Sequence, residues 1–330
     1  MRRAWIALSA VAFLLGSVLP LQARKRELPR LPNSTLLIGW PPFYLAITSN
    51  AQTWNVQDDP QSDWLLTPSL SANATLVASA HPAVGEPPRS RNLVVSLWSR
   101  SNQKWTNIPQ LPIDSSAVAI SPDGTRIACV TRYRTDAPSR LDVLDRNTGT
   151  IVEGPQIYDR ADTDITWAPD SRRLAFDIGS NGAPVKANPS PLRAIYIMDT
   201  DTGAIHRIAK GVAPSWSPSG EWIAYLDYVP DSDDAGPGFA ADHPDRVSVM
   251  RPDGSGNRVL LTLPRDQALM IPPVWSPDAQ SMLINRWHNP DKGTMDIDQL
   301  DLAAGKRTRL FRNVPPIYAW LRSKESHDRF

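Results

Sequence analysis

The amino-acid sequence predicts an all-β fold: a six-bladed β-propeller of four-stranded antiparallel blades, the last blade closed by N- and C-terminal strands. Three observations lead there. A motif of the form Trp-Ser-Pro-Asp-Gly recurs along the chain. Each copy is followed by strand-like runs and a second tight turn. An incomplete unit at the C-terminus is matched by surplus strand-like runs near the N-terminus. Self-similarity at such a period marks architectures whose units bury their apolar faces only against their neighbours.

The motif copies are Ala119–Ala128, Thr166–Ala175, Ser215–Ala224 and Val274–Leu283, with a degenerate copy at Ser71–Ala78. Their turns begin at Ser71, Ser121, Ala168, Ser217 and Ser276, so successive copies stand 50, 47, 49 and 59 residues apart. In each, a short strand ends in an apolar residue, often Trp, and a tight turn follows. Proline presets φ, Asp or Asn bonds back to the backbone, and Gly tolerates positive φ. Ala72, Asn73, Ser219, Ala74, Ser171 and Ala279 depart from the Pro, Asp and Gly of the pattern, which weakens single turns and leaves the array. An apolar strand comes next. Then comes an alternating run such as Arg140–Asp145 or Ala194–Asp199, a turn such as Arg146-Asn147-Thr148-Gly149 or Thr200-Asp201-Thr202-Gly203, and a fourth strand such as Ile205–Ile208.

Complete blades are expected over 64–111, 114–160, 162–211, 212–264 and 270–312. Pro316–Trp320 then begins a sixth and stops. Thr35–Trp40, Phe43–Thr48 and Thr53–Val56 supply the three missing strands, and sharing a blade between termini removes exposed sheet edges. The expected organisation is therefore 1–23 signal peptide or membrane anchor, 24–34 linker, 35–321 propeller and 322–330 polar tail.

The repeated Trp-Ser-Pro-Asp-Gly core, with Ile-Ala after it, resembles the WD40-like repeats of the TolB family over about Trp64 to Trp320. That resemblance implies protein–protein contact in the cell envelope. It also implies an N-terminal α/β domain, for which residues 1–34 leave no room, so a direct part in the Tol system is not expected.

Arg2 and Arg3 precede an apolar run from Ala4 to Leu19, and Leu21-Gln22-Ala23 offers a cleavage site. Ala4 to Ala23 is equally long enough to span a bilayer, so a cleaved signal and a retained anchor both stand. Arg24-Lys25-Arg26 directly after resists translocation. Either way the expected address is extracytoplasmic: periplasm or cell surface. A net charge of +1 carries no bias toward nucleic acid. The single cysteine, Cys129, sits in an apolar run and reads as a buried small hydrophobe. The 32 prolines and 17 glycines fit a turn-rich fold.

No Gly-x-Ser-x-Gly elbow, His-Glu-x-x-His helix, phosphate loop or dinucleotide fingerprint occurs, so no catalytic residue, cofactor or resident metal is assigned. Turns joining strands one to two and three to four are tight and share one face of a propeller. Longer connections lie on the other face, which makes that face the expected binding surface. Candidate binding residues there are Asp231, Asp234, Asp242 and His243 in the longest loop, with His81 and His288 in two others. The carboxylates suit a hard cation or a basic partner, but the spacing of a calcium loop is absent. Trp167, Trp216, Trp275 and Trp320 occupy one repeat position and are expected to pack between blades. The leading functional reading is a non-catalytic scaffold with protein partners in the envelope. The alternatives are a propeller enzyme of the carbohydrate lyase or hydrolase type, with or without a metal, and an accessory domain tethered by residues 4–23.

Overall fold

The structure, a computed structural model, describes residues 31, 34–40, 43–48, 53–55, 68–83, 93–102, 104–111, 115–131, 139–157, 163–178, 194–227, 244–264, 267–269, 271–287 and 295–322. The expected signal or anchor segment 1–23, nearly all of the linker, and all of the polar tail beyond Arg322 lie outside them. The described residues contain strands and turns and no helix.

Near the N-terminus run β1 (Ser34–Trp40), β2 (Phe43–Thr48) and β3 (Thr53–Asn55). Four strands then form the first continuous sheet: β4 (Ser69–Leu70), β5 (Leu76–Pro82), β6 (Leu93–Ser99) and β7 (Lys104–Asn107). The second holds β8 (Ser115–Ile120), β9 (Arg126–Thr131), β10 (Ser139–Asp145) and β11 (Ile151–Ile157). The third holds β12 (Ile165–Trp167), β13 (Arg173–Ile178), β14 (Ala194–Asp199) and β15 (Ile205–Lys210). The fourth holds β16 (Val212–Trp216), β17 (Ile223–Asp227), β18 (Arg246–Met250) and β19 (Arg258–Thr262). The fifth holds β20 (Ala268–Leu269), β21 (Val274–Trp275), β22 (Ser281–Trp287), β23 (Met295–Asp301) and β24 (Arg307–Val314). Every pairing is antiparallel, and within blades one to four it joins strands adjacent in sequence.

Five blades, not six, are thus made of continuous chain, and among the described residues one further strand, β25 (Ile317–Arg322), follows them. That strand pairs with β1, Ser34 opposite Arg322 and Leu36 opposite Trp320, in a composite sheet of order β25-β1-β2-β3. Blade five also departs from the pattern. Its innermost strand is split into β20 and β21, both paired to β22, with Pro272 and Pro273 between them. Proline has no N–H to give to the ladder, so pairing stops there and resumes beyond.

Middle strands are covered on both faces. In β13 and β22 every residue but one end is buried, whereas the outermost strands β15 and β19 are mostly exposed. Apolar clusters fill the spaces between neighbouring sheets. Val95 and Leu97 of blade one meet Ile127 and Cys129 of blade two, and Ala128 and Leu141 of blade two meet Trp167 and Phe176 of blade three. Ile197 of blade three meets Trp216 and Tyr225 of blade four, while Leu226 and Val249 of blade four meet Trp275 and Ile284 of blade five. The composite sheet packs Leu36 and Ile38 on Leu283 and Ile297 of blade five, and Leu37 on Val77 and Trp98 of blade one. Cys129 is fully buried in this packing. Outer strands carry Lys104, Arg207, Lys210, Arg258 and Arg312, charges that discourage edge-to-edge pairing with another chain.

The repeated tryptophans are packing elements. Trp167, Trp216 and Trp275 are buried. Trp167 Nε1 donates to the Ala119 carbonyl of the preceding blade at 3.0 Å, and Trp275 Nε1 to Ser215 O at 2.9 Å. Trp216 instead bonds its own turn at Gly220 O. Trp320 is half-buried, and its Nε1 donates to Ser34 Oγ, tying β25 to β1 at 2.6 Å.

Candidate functional site

The tight-turn face is stitched by one hydrogen-bond pattern. Ser121 Oγ donates to Asp123 Oδ1 and accepts from Arg126 N, while Asp123 Oδ1 also accepts from Thr125 N. Ser276, Asp278, Gln280 and Ser281 repeat it, as do Ser71, Asn73, Thr75 and Leu76. The fourth turn position has positive φ whether or not it is glycine: Ala74 54°, Gly124 78°, Ser171 58°, Gly220 79°, Ala279 58°. Neighbouring turns bond to one another, Ala72 N to Pro122 O and Asp123 N to Ser171 Oγ.

These contacts set the turn carboxyls. Burial pushes Asp123 up, but bonds from Ser121 and Thr125 outweigh it and hold the group below its ordinary value. The bond from Ser276 lowers Asp278, and the backbone N–H groups of Thr148 and Thr202 lower Asp145 and Asp199. All four are anions near neutral pH, and their oxygens are occupied by the turns that they close.

The longer connections, at 83–92, 132–138, 179–193, 228–245 and 288–294, join strands two and three of blades one to five. Asp231, Asp234, Asp242, His243 and His288 belong to these connections in sequence and fall outside the described residues. His81 does not belong to a loop as expected. It ends β5, where Pro82 still pairs with Leu93, and it is buried. Its Nδ1 donates to the Pro82 carbonyl at 2.9 Å, and its Nε2 meets Ser96 Oγ at 2.6 Å. The ring stands edge-on to Trp105. With both nitrogens engaged, His81 is a core residue with no position open to a ligand.

Two arrangements escaped the sequence. Arg286 is buried, with Nε 3.1 Å from Asp298 Oδ2, Nη2 3.2 Å from Asp296 Oδ2 and Nη1 on Gln267 Oε1. Arg309 also reaches both carboxylates. Charges so desolvated persist only when paired, and this set is saturated. The second is a cleft of about 390 Å³ between blades three and four, on the tight-turn side, lined by Arg173, Ile197, His206, Glu221, Arg251, Pro252 and Asp253. A reversal of charge at a repeat position was its one legible sign. Asp145, Asp199 and Asp301 close strand three of their blades, each opposite the first residue of strand two, and Arg251 stands at that place in blade four.

Among the described residues no three His, Cys, Asp or Glu side chains gather as a metal site would require. No described helix is long and apolar enough to cross a membrane.

The fold is a TolB-like propeller. Similar solved structures include TolB from Acinetobacter baumannii, at a TM-score of 0.60 and 16% identity over 87% of this chain; the match spans 66% of that chain. The putative TolB from Agrobacterium tumefaciens matches at a TM-score of 0.57 and 16% identity, over 84% of this chain and 88% of that one. An oligogalacturonate lyase in complex with manganese matches at 0.52 and 14% identity, over 84% and 71%. No family model and no curated sequence matches. At these identities the likeness concerns the fold alone.

Proposed function

We propose that this chain is an extracytoplasmic, non-catalytic propeller that holds a protein partner of the cell envelope on its long-connection face. The observation that carries the reading is the asymmetry of the two faces. At one end of the strands the turns are short and bonded to themselves and to each other, and at the other end the longer connections leave strand two and return to strand three. A rigid ring presenting variable loops is how scaffolds carry recognition. The export or anchor pattern of residues 1–23 supports the address. In this reading the composite sheet is a sixth blade that closes the ring. Its contacts with blades one and five support that role, as does Asn285 of β22, whose side chain exchanges two hydrogen bonds of 2.8 Å with the backbone of Ile317 in β25. Asp231, Asp234, Asp242, His243 and His288 are proposed contact residues.

The experiment is photo-crosslinking of residues 24–330 to an envelope fraction, in parallel with a variant whose 228–245 connection is replaced by a short turn. A partner captured by the first and lost by the second, with unchanged thermal stability, supports the reading. Capture that ignores this connection and the other four sinks it. The likeness to a manganese-bound lyase favours one rival, a metal-assisted propeller enzyme. The described residues do not fit that metal, since His81 is fully engaged and no ligand cluster forms. Stoichiometric manganese in the purified chain would favour the enzyme.

A further inference from the structure

The cleft between blades three and four lies on the face that the proposed function leaves unused, and it marks a break in the repeat. At the boundary between blades two and three, Arg126 fills the matching space. Its guanidinium reaches Thr200 Oγ1, Asp201 Oδ1 at 2.6 Å and the Ser171 carbonyl, clasping the next blade's turn. Arg173 holds the same place in blade three but folds back on Asp170 of its own turn, at 2.9 Å, and lies over the Trp216 ring. The notch ahead of it stays open.

Blade four supplies the opposite wall. Where the matching residues of blades two, three and five are Asp145, Asp199 and Asp301, it carries Arg251. Those aspartates cap the turn that follows, Asp145 Oδ1 accepting from Asn147 N and Thr148 N. Arg251 cannot accept. The turn is closed instead by Asp253 Oδ1 on Ser255 N, with Gly254 and Gly256 at positive φ. The Arg251 guanidinium lies 5.1 Å over Trp222, and its charge acts on the Asp253 carboxylate two residues on. The substitution gives up a local cap and leaves a cation on the rim of an open cleft.

From this we infer that the cleft binds a carboxylate side chain of an acidic peptide segment. Guanidinium groups of Arg173 and Arg251 and the ring of His206 offer donors from two walls, and charge-assisted bonds of this kind are the strong ones. Ile197 and Pro252 provide an apolar surface for the methylene stem of a glutamate. A sugar acid fits less well, because Trp216 and Trp222 each already carry an arginine over the ring face that would stack on a pyranose. Glu221 on the same wall opposes the ligand and sets selectivity by repulsion. Asp253 also borders the cleft, engaged in its own turn.

The test is titration of the full chain with a blocked glutamate hexapeptide, at low salt and at ~0.3 M salt, following tryptophan fluorescence and calorimetry. Binding at low salt should weaken with salt. Arg251→Asp, which restores the residue of blades two, three and five, and Arg173→Gln should each weaken it about tenfold or more. Glu221→Gln should tighten it, and Lys104→Gln on blade one should leave it unchanged. Arg251→Gln repeats the measurement should the aspartate variant lose its melting transition. The inference is overturned by absence of binding at low salt, by equal binding of a lysine hexapeptide, or by equal binding to the arginine variants. Inorganic phosphate that competes as well as the peptide would also overturn it, since the site would then read charge alone.

Discussion

Asn285→Ala should loosen the attachment of β25 to blade five. In the native protein Asn285 Nδ2 donates to Ile317 O and Asn285 Oδ1 accepts from Ile317 N, both at 2.8 Å. Both residues are essentially without solvent exposure. Truncation removes two hydrogen bonds and leaves the Ile317 N–H and carbonyl without these partners. A buried polar group so stranded costs about 1–3 kcal/mol. Two such groups, partly relieved by a water entering the space, place the loss at about 3 kcal/mol. At roughly 2 °C per kcal/mol for a domain of this size, the melting temperature should fall by about 6 °C. Calorimetry gives the total, and native-state hydrogen exchange locates it. Protection should drop in β25 and β1 first, with β12 to β15 unaffected. The Asn285→Asp variant adds a signature. Its deficit relative to the native protein should shrink as the pH falls from neutral, because a protonated carboxyl both donates to Ile317 O and accepts from its N–H. A shift under ~1 °C, or exchange that rises uniformly over all blades, would refute the idea that Asn285 secures β25.

Other expectations concern the turns and the blade contacts. Ala279→Gly should raise stability by about 0.5–1 kcal/mol by urea unfolding, since Ala279 holds φ 58°, a conformation costly to a Cβ. Ser171→Gly should gain less, because it also deletes the acceptor of Asp123 N. Gly124→Ala should destabilise by about 1–2 kcal/mol, because it combines φ 78° with a Cβ 2.8 Å from Leu76 Cδ1. Trp275→Phe should cost about 1–2 kcal/mol by stranding the Ser215 carbonyl. Acid sensitivity follows from Asp123, Asp145, Asp199 and Asp278, whose carboxyls are held below the ordinary 3.8. Their folded values are depressed, so their contribution is complete above about pH 4 and is lost as pH falls through the lowered values. Stability measured from pH 6 to pH 2 should stay level and then drop below about pH 4, and Asp278→Asn should flatten the drop.

The blades were legible in the amino-acid sequence because what makes them is local. The Ser121 hydroxyl meets Asp123 and Arg126 within five residues, so turn chemistry shows in adjacent letters. Strands such as Ala194–Asp199 and Arg140–Asp145 fell where alternation placed them, since hairpin partners follow within one loop. The burial of Cys129 followed from its apolar run, and that of Trp167, Trp216 and Trp275 from their shared place in the repeat. The candidate loop residues were chosen by composition, which carries no contact information, and composition misplaced His81. That residue became core only because Ser96, fifteen positions on, and Trp105 close around it.

What tertiary structure alone decided lies at longer range. Arg126 bonds Asp201 and Arg173 does not bond Asp253, although both arginines follow the same motif; which way each turns depends on packing between blades. The cleft at Arg251, the saturated Arg286 set and the grip of Asn285 on Ile317 arise between residues that one-dimensional order leaves unrelated. A repeat dictates its own unit through short-range hydrogen bonds and periodicity. What neighbouring units leave open between them is settled by long side chains choosing among partners, and that choice is made only when the blades meet.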